Sequence, residues 1–336
     1  MQAQDYPMAK WAIGIRLPGS TNELIETSLN NGEILRTHLM RPTWHFVSSD
    51  DIYWMLELTA PRIRSSLKFR EKWLGLTEAI VSKSKHVIEK VLSPDEHLTR
   101  DELIAQLNNA KIKIDGYRGS HLLMRSELDG LICSGKMKGA KQTYALLEKR
   151  VPKKKRMGRE DSLEKLAQKY FASHGPATLH DFARWSGLSM NDSRNALEMI
   201  KSKFVSDVVG ENTYWSPGSL SIPKERTDAF VLPAFDEFLV GYKDRSASLN
   251  HGIEKKIISE NGIFRPAIII KGQVTGLWKR TMPARRSGSA DAGGEEGQLI
   301  VETKFFRAHT KKERSEIHRA AERFGKFLCM TVDCRV

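Results

Sequence analysis

The chain is poor in cysteine, has no long apolar run, and carries none of the common cofactor or metal motifs. Its three cysteines, Cys133, Cys329 and Cys334, are odd in number and lack paired metal-ligand spacing. That excludes a secreted disulfide scaffold and a zinc finger, and points to a reducing cytoplasm. The longest apolar run is a handful of residues, as at Ala267-Ile268-Ile269-Ile270, too short to span a bilayer, so no membrane association is expected. No charged-then-apolar leader opens the sequence, and no export signal is expected. There is no GxGxxG, Walker loop, HExxH, CxxC or GxSxG. Ten histidines are scattered without a ligand-spaced pair beside a carboxylate, so neither metal nor cofactor is expected. Lone ones such as His45 and His121 read as surface or capping residues.

What is present is positive charge on a chain of globular composition. The 336 residues, 40% hydrophobic and 28% charged, suggest two or three domains at about 150 residues each. Lys and Arg number 54 against 41 Asp and Glu, a net +13. Residues 61–160 carry 23 basic against 12 acidic side chains, so this stretch alone holds +11. Such clustering suits a polyphosphate partner, although a solvated Lys-rich surface has the same composition.

Three segments repeat one order of elements. In the first (1–75), Tyr6 to Ile15 is mixed apolar and Pro18-Gly19-Ser20 breaks it. Thr21 caps a helix that Asn31-Gly32 ends, and Ile34–Arg41 with Trp44–Val47 form two short β-segments around Pro42. A connecting helix follows, with basic residues after Pro61. In the second (76–160), a helix over 76–92 precedes a Thr99 cap and a further helix at 103–107. Ser120 caps the next, which Gly135 stops; Met124, Leu128 and Leu131 make its buried stripe. Lys136 to Ala145 then reads as a basic β-wing, and Lys153–Arg159 as a charged linker rather than a nuclear signal. In the third (161–225), Asp161 and Glu164 form a capping box and His174-Gly175-Pro176 turns the chain. Thr178 caps a helix that ends at Ser186-Gly187, Met190–Ile200 is helical, and a hairpin turns at Gly210-Glu211-Asn212. Helix, turn, helix and hairpin is the order of a winged helix-turn-helix. Residues 226–336 are β-rich at 231–240, 264–278 and 299–306, with a turn at Gly272. A low-complexity loop spans 285–297, and a basic amphipathic helix spans 311–327. The expected fold is α+β: three tandem winged helices and a C-terminal β-rich domain.

The opening Gln2-Ala3-Gln4-Asp5-Tyr6 is the one chemical oddity. In an extended segment residues two apart face one side, so Gln2 and Gln4 can present two amides to one spot. A glutamine amide does not titrate and cannot be a general base, but its carbonyl oxygen can orient a water and favour a developing cation. Asp236 and Glu237, adjacent carboxylates, are a rival acid/base pair. Successive strand residues point apart, so they read as structural partners of Arg245 or Arg265.

Several stretches carry a resemblance. Gln2–Tyr6, Ala9–Gly14, Arg16-Leu17-Pro18-Gly19, Met40–His45, His174–Thr178, Trp185-Ser186-Gly187-Leu188, Leu232–Glu237, Gly241–Arg245 and Arg265-Pro266 resemble, in order and over essentially the whole chain, the bacterial AlkZ/YcaQ-like winged-helix DNA glycosylases. The resemblance implies a trio of winged helices in a basic, C-shaped channel. It implies removal of N7-alkylated purines from duplex DNA, in some members including interstrand crosslinks, without metal or cofactor. The Gln-apolar-Gln signature falls on Gln2, Ala3 and Gln4. A purine alkylated at N7 is already cationic, so the glycosidic bond breaks toward an oxocarbenium-like sugar without enzymatic protonation. The protein then has only to hold the nucleotide and aim a water. Asp5 is a secondary candidate. Lys136, Lys138 and Lys141, with Arg125, Arg41 and His45, are the expected DNA contacts. A monomer in the bacterial nucleoid is expected. Family members carry a few dozen residues, including a helix, ahead of the glutamine pair, so a late start or a fragment is expected here. The alternative function is a winged-helix DNA-binding protein or regulator without catalysis.

Overall fold

The computed structural model describes residues 1–152, 156–218, 229–283 and 298–336. The expected 285–297 loop and part of the 153–159 linker lie outside the described residues. By mutual contact the chain divides into two units: Met1 with Thr27–Ser219, and Gln2–Glu26 with Leu220–Val336.

The N-terminal elements are α1 (Tyr6–Arg16), α2 (Asn22–Asn31) and the hairpin β1 (Ile34–Leu39) and β2 (Thr43–Ser48). Thr21 Oγ1 accepts the Leu24 N–H at 3.1 Å, which starts α2. Arg150 donates to the carbonyls of Leu29 and Asn30, satisfying acceptors that the end of the helix leaves open. A tight turn with Met40 at φ 60° joins Leu39 to Thr43 across the hairpin. The long helix α3 (Ile52–Trp73) runs through Pro61 without ending there.

Two modules of matching order complete the first unit. The first is α4 (Glu78–Leu92), β3 (Leu98–Thr99), α5 (Arg100–Asn109), α6 (Arg118–Leu128), β4 (Ile132–Ser134), β5 (Thr143–Leu146) and the short α7 (Leu147–Arg150). The second is α8 (Arg159–His174), β6 (Ala177–Thr178), α9 (Leu179–Ser186), α10 (Met190–Ile200), β7 (Phe204–Val209) and β8 (Asn212–Pro217). In each, the last strand lies between the other two, giving sheet orders β3-β5-β4 and β6-β8-β7. Thr99 with Glu102 and Thr178 with Asp181 close full capping boxes at α5 and α9. In the core of the first module Ile88, Leu92, Leu103, Leu107, Leu122 and Ile132 are fully buried together. Tyr170, Phe171 and Phe182 fill the core of the second.

Three local expectations are corrected. Ser120 sits inside α6, which begins at Arg118 without a side-chain cap, and α6 ends at Leu128, well before Gly135. Leu131 therefore lies beyond the helix and shares no helical stripe. Asp161 is in the first turn of α8, whose cap is Gly158, so no capping box forms with Glu164.

The second unit is built on a five-stranded sheet of order β13-β12-β11-β10-β9. Its elements are β9 (Ala229–Leu232), α11 (Glu237–Val240), α12 (Glu254–Ile257), β10 (Ala267–Ile270), β11 (Gln273–Thr281), β12 (Leu299–Phe305), α13 (Lys311–Leu328) and β13 (Val332–Arg335). All neighbours are antiparallel except β12 and β13. β10 is buried along its length, as an interior strand with both faces covered must be. Ala267 and Ile269 join a core with Leu239, Leu249, Ile257 and Phe264. Elsewhere Phe324 of α13 packs on Trp278 and on Trp11 of α1, at 5.2 and 5.1 Å between ring centroids. Two expectations change here. Phe238-Leu239-Val240 is a helical turn rather than strand, because Asp236 accepts the Phe238 N–H and caps it. α13 is followed by a further strand, β13.

Candidate active site

The segment before α1 is fixed by its backbone. The Gln2 N–H donates to Oε1 of Glu237 at 2.7 Å. Ala3 is completely buried, Gln2 is buried, and Gln4 is exposed. Asp5 then caps α1, its carboxylate accepting the Met8 N–H at 3.2 Å, and Pro7 occupies the first turn, where a missing N–H costs nothing. Asp5 also lies in the field of Arg280, whose guanidinium pKa burial lowers and Asp5 partly restores.

α1 is held along its length. Trp11 Nε1 donates to the Val231 carbonyl at 2.8 Å, and Lys10 Nζ pairs with Glu26 at 2.9 Å. Near its C-terminus, Arg16 makes a two-pronged bond to Asp236 at 2.7 and 2.9 Å, and also donates to the Ala12 carbonyl. Burial disfavours the Arg16 charge, but the hydrogen bonds and charge of Asp236, with the charge of Glu237, outweigh it and raise its pKa. Asp236, its side chain fully buried, thus pairs with Arg16, not with Arg245 or Arg265 as expected. Arg245 donates to the carbonyls of Leu239 and Lys243, and Arg265 to that of Lys256. The adjacent carboxylates divide the work. Asp236 clamps the end of α1, while Glu237 clamps the start of the segment that leads into it.

The expected DNA contacts lie in the first unit. Lys136, Lys138 and Lys141 are on the segment joining β4 to β5, and all three are exposed. Lys138 and Lys141 exchange backbone hydrogen bonds, and the Lys136 N–H donates to His97 Nδ1 at 2.8 Å. Lys138 Nζ reaches Glu102 at 2.6 Å; that contact and the Thr99 hydrogen bonds hold the Glu102 carboxyl down at about 2. Arg41 is half-buried in the β1–β2 turn. His45 and His121, both expected at the surface or as caps, are buried. His45 lies on β2, with Nδ1 2.9 Å from the Thr43 carbonyl. Arg125 is buried in α6 and donates to Glu71 at 2.5 Å. Among the described residues, no three His, Cys, Asp or Glu side chains converge as a metal site would require. No described helix is long and apolar enough to cross a membrane.

The sequence profile of the DNA glycosylase AlkZ-like family matches residues 1–327. The chain belongs to the AlkZ-like DNA glycosylase family. An interstrand DNA cross-link repair glycosylase of Streptomyces sahachiroi is 22% identical over 300 residues, covering 83% of this chain and 79% of that protein. The solved structure of the Streptomyces sahachiroi DNA glycosylase AlkZ superposes with a TM-score of 0.76 at 19% identity, covering 99% of this chain and 90% of that one. At that identity the likeness establishes a shared fold. For this AlkZ-like chain, sequence reasoning missed Arg16 as the partner of Asp236, and it missed Glu237 as the anchor of Gln2. Neither contact has a local signature, since each spans 220 residues or more.

Proposed function

We propose that this AlkZ-like protein hydrolyses the N-glycosidic bond of N7-alkylated purines in duplex DNA and unhooks interstrand crosslinks, acting as a monomer on the bacterial nucleoid. Gln2 and Gln4 position the water through their carbonyl oxygens. The observation that carries this reading is the anchoring of the segment that holds the neutral, non-titrating amide pair: the Gln2 N–H is held by Glu237, and Asp5, the residue after Gln4, caps α1. Rigid placement is what positional catalysis needs. The lesion supplies its own positive charge, so the leaving base departs without a proton donor, and acceptor oxygens near C1′ favour the cationic sugar. Asp5, whose carboxylate already caps α1, stays secondary and contributes negative field rather than proton transfer.

On the same reading the α4–β5 and α8–β8 modules are the second and third of three winged helices, and the β1–β2 hairpin is the wing of a separate first one that precedes them. Lys136, Lys138 and Lys141 meet phosphates, and Arg41 and His45 contribute from that hairpin. Arg125, tied to Glu71, supports the α3–α6 packing and, like the buried His45, is less direct than the others. The name of the cross-link repair relative supports the crosslink substrate.

The test is release of N7-methylguanine from alkylated duplex DNA. Gln2→Ala and Gln4→Ala are each expected to slow release by about 100-fold or more, with duplex affinity within about twofold of the unaltered protein. Sequence-specific binding without release by the unaltered protein would establish the regulator instead.

A further inference from the structure

Three aromatic rings stand in solvent at one place in the first unit. Phe69 is 82% exposed, Trp73 64% and Tyr117 67%. Phe69 and Trp73 are one turn apart near the end of α3, on the same helical face. Arg70 joins them to Tyr117: its guanidinium lies 4.4 Å from the Trp73 ring centroid and 5.2 Å from that of Tyr117. Large exposed apolar groups that cluster mark a binding surface.

The platform beneath them is stiff. Glu71, between Arg70 and Lys72, is buried and accepts from Arg125 at 2.5 Å, with His121 Nε2 3.3 Å away. Arg118 donates to the Leu74 carbonyl and, at 2.9 Å, to that of Lys113. The end of α3 and the start of α6 are thereby clasped together, and the rings project from a fixed base.

The charge around the rings selects the occupant. From Arg62 to Trp73 there are five basic side chains, and the one acid, Glu71, is buried and paired. A second copy docked two-fold on this face would set Lys68, Arg70 and Lys72 against themselves. A polyanion with flat apolar faces satisfies both the charge and the rings. Duplex DNA hides its base faces in the stack, whereas an unpaired strand offers them. We propose that Phe69, Trp73 and Tyr117, with Arg70, form a stacking platform for unpaired DNA bases. The platform is additional to the lysines expected to grip duplex phosphates. It rests on the DNA-acting reading above, but not on the excision chemistry.

The experiment is fluorescence anisotropy with a labelled twelve-nucleotide single strand and a hairpin duplex of matched length. Changing Phe69, Trp73 and Tyr117 to Ala should weaken single-strand binding by about fivefold or more for each ring removed, and duplex binding by less than about twofold. Trp73→Phe, which keeps a ring, should retain single-strand affinity within about threefold. Unchanged single-strand affinity in the triple variant overturns the proposal, as does equal loss on both DNAs. So does a native dimer in sedimentation velocity that the triple variant abolishes without altering DNA affinity, which would make the face a contact between copies. Because no excision is measured, failure here is distinguishable from failure of the glutamine variants to alter base release.

Discussion

The Asp236 side chain has no exposure to solvent, and Arg16 is what makes a charge there tolerable. An ionised carboxylate left alone in such a place is strongly unfavourable. Arg16→Met keeps the length and the apolar stem of the side chain but removes the counter-charge. It should destabilise the protein by about 2–4 kcal/mol, less than a fully buried pair would lose because the Arg16 head is partly solvated. Urea unfolding at pH 7 measures this; an unchanged midpoint would mean that Asp236 does not depend on Arg16. At this scale the sequence is least legible. Adjacent carboxylates after β9 are visible as structural, but local spacing pointed to Arg245 and Arg265 nearby in the chain. The actual partner sits on α1, brought there by the sheet and by the Trp11 anchor.

Elements were legible wherever their signal was local. Thr21, Thr99 and Thr178 were recognisable as helix starts because a capping hydroxyl and the N–H that donates to it lie within four residues of each other. Ser120 and Asp161 misled because α6 and α8 begin without side-chain caps, and polar residues in a first turn mimic one. Phe238-Leu239-Val240 has strand composition but becomes helical through its Asp236 cap. Gly187 is a turn whose necessity can be measured. It joins α9 to α10 at φ 72°, and a Cβ there would lie 2.1 Å from the Met40 carbonyl oxygen. Gly187→Ala should cost about 2 kcal/mol or more, from the left-handed backbone together with the displaced β1–β2 turn. Thermal unfolding reports it, and a neutral result would mean that the hairpin yields freely.

Asp51 ties the start of α3 to α8. Its carboxylate is 2.9 Å from Lys169, 3.1 Å from Lys165, and accepts from Trp54 Nε1 at 3.0 Å. Burial pushes its pKa up, but the Lys169, Trp54 and Lys165 contacts outweigh that and bring it to about 2, below the ordinary 3.8. A folded-state pKa below the unfolded one adds stability above the unfolded value, and that stability disappears as pH falls through the folded value. Asp51→Asn should therefore be less stable by about 2 kcal/mol at pH 7, with the difference shrinking as pH falls from the unfolded value toward the folded one. Denaturant midpoints collected across that range check it; a constant difference would show that the ionisation is uncoupled from folding.

For the whole molecule, the α+β class and the β-rich C-terminal part were readable because hydrophobic period and turn residues are written along the chain. The recurrence of one element order in the α4–β5 and α8–β8 modules was readable for the same reason. The parallel β13 was missed, since a four-residue strand paired beyond a helix leaves almost no trace in composition. The basic excess indicated a polyanion but not where it is met; exposed rings at Phe69, Trp73 and Tyr117 are invisible to a sequence reading that expects aromatics inside. The Gln2-Ala3-Gln4 segment was legible as a motif, whereas the carboxylate that anchors it was not.

The central claim is that two neutral amides suffice because the lesion brings its own charge. The most direct measurement is the single-turnover rate of N7-methylguanine release from saturated enzyme across roughly three pH units centred on neutrality. With no group gaining or losing a proton in the rate-limiting step, the rate should stay level across the range. A limb of unit slope, or a bell, would reveal a titrating acid or base at the reaction centre and contradict the account.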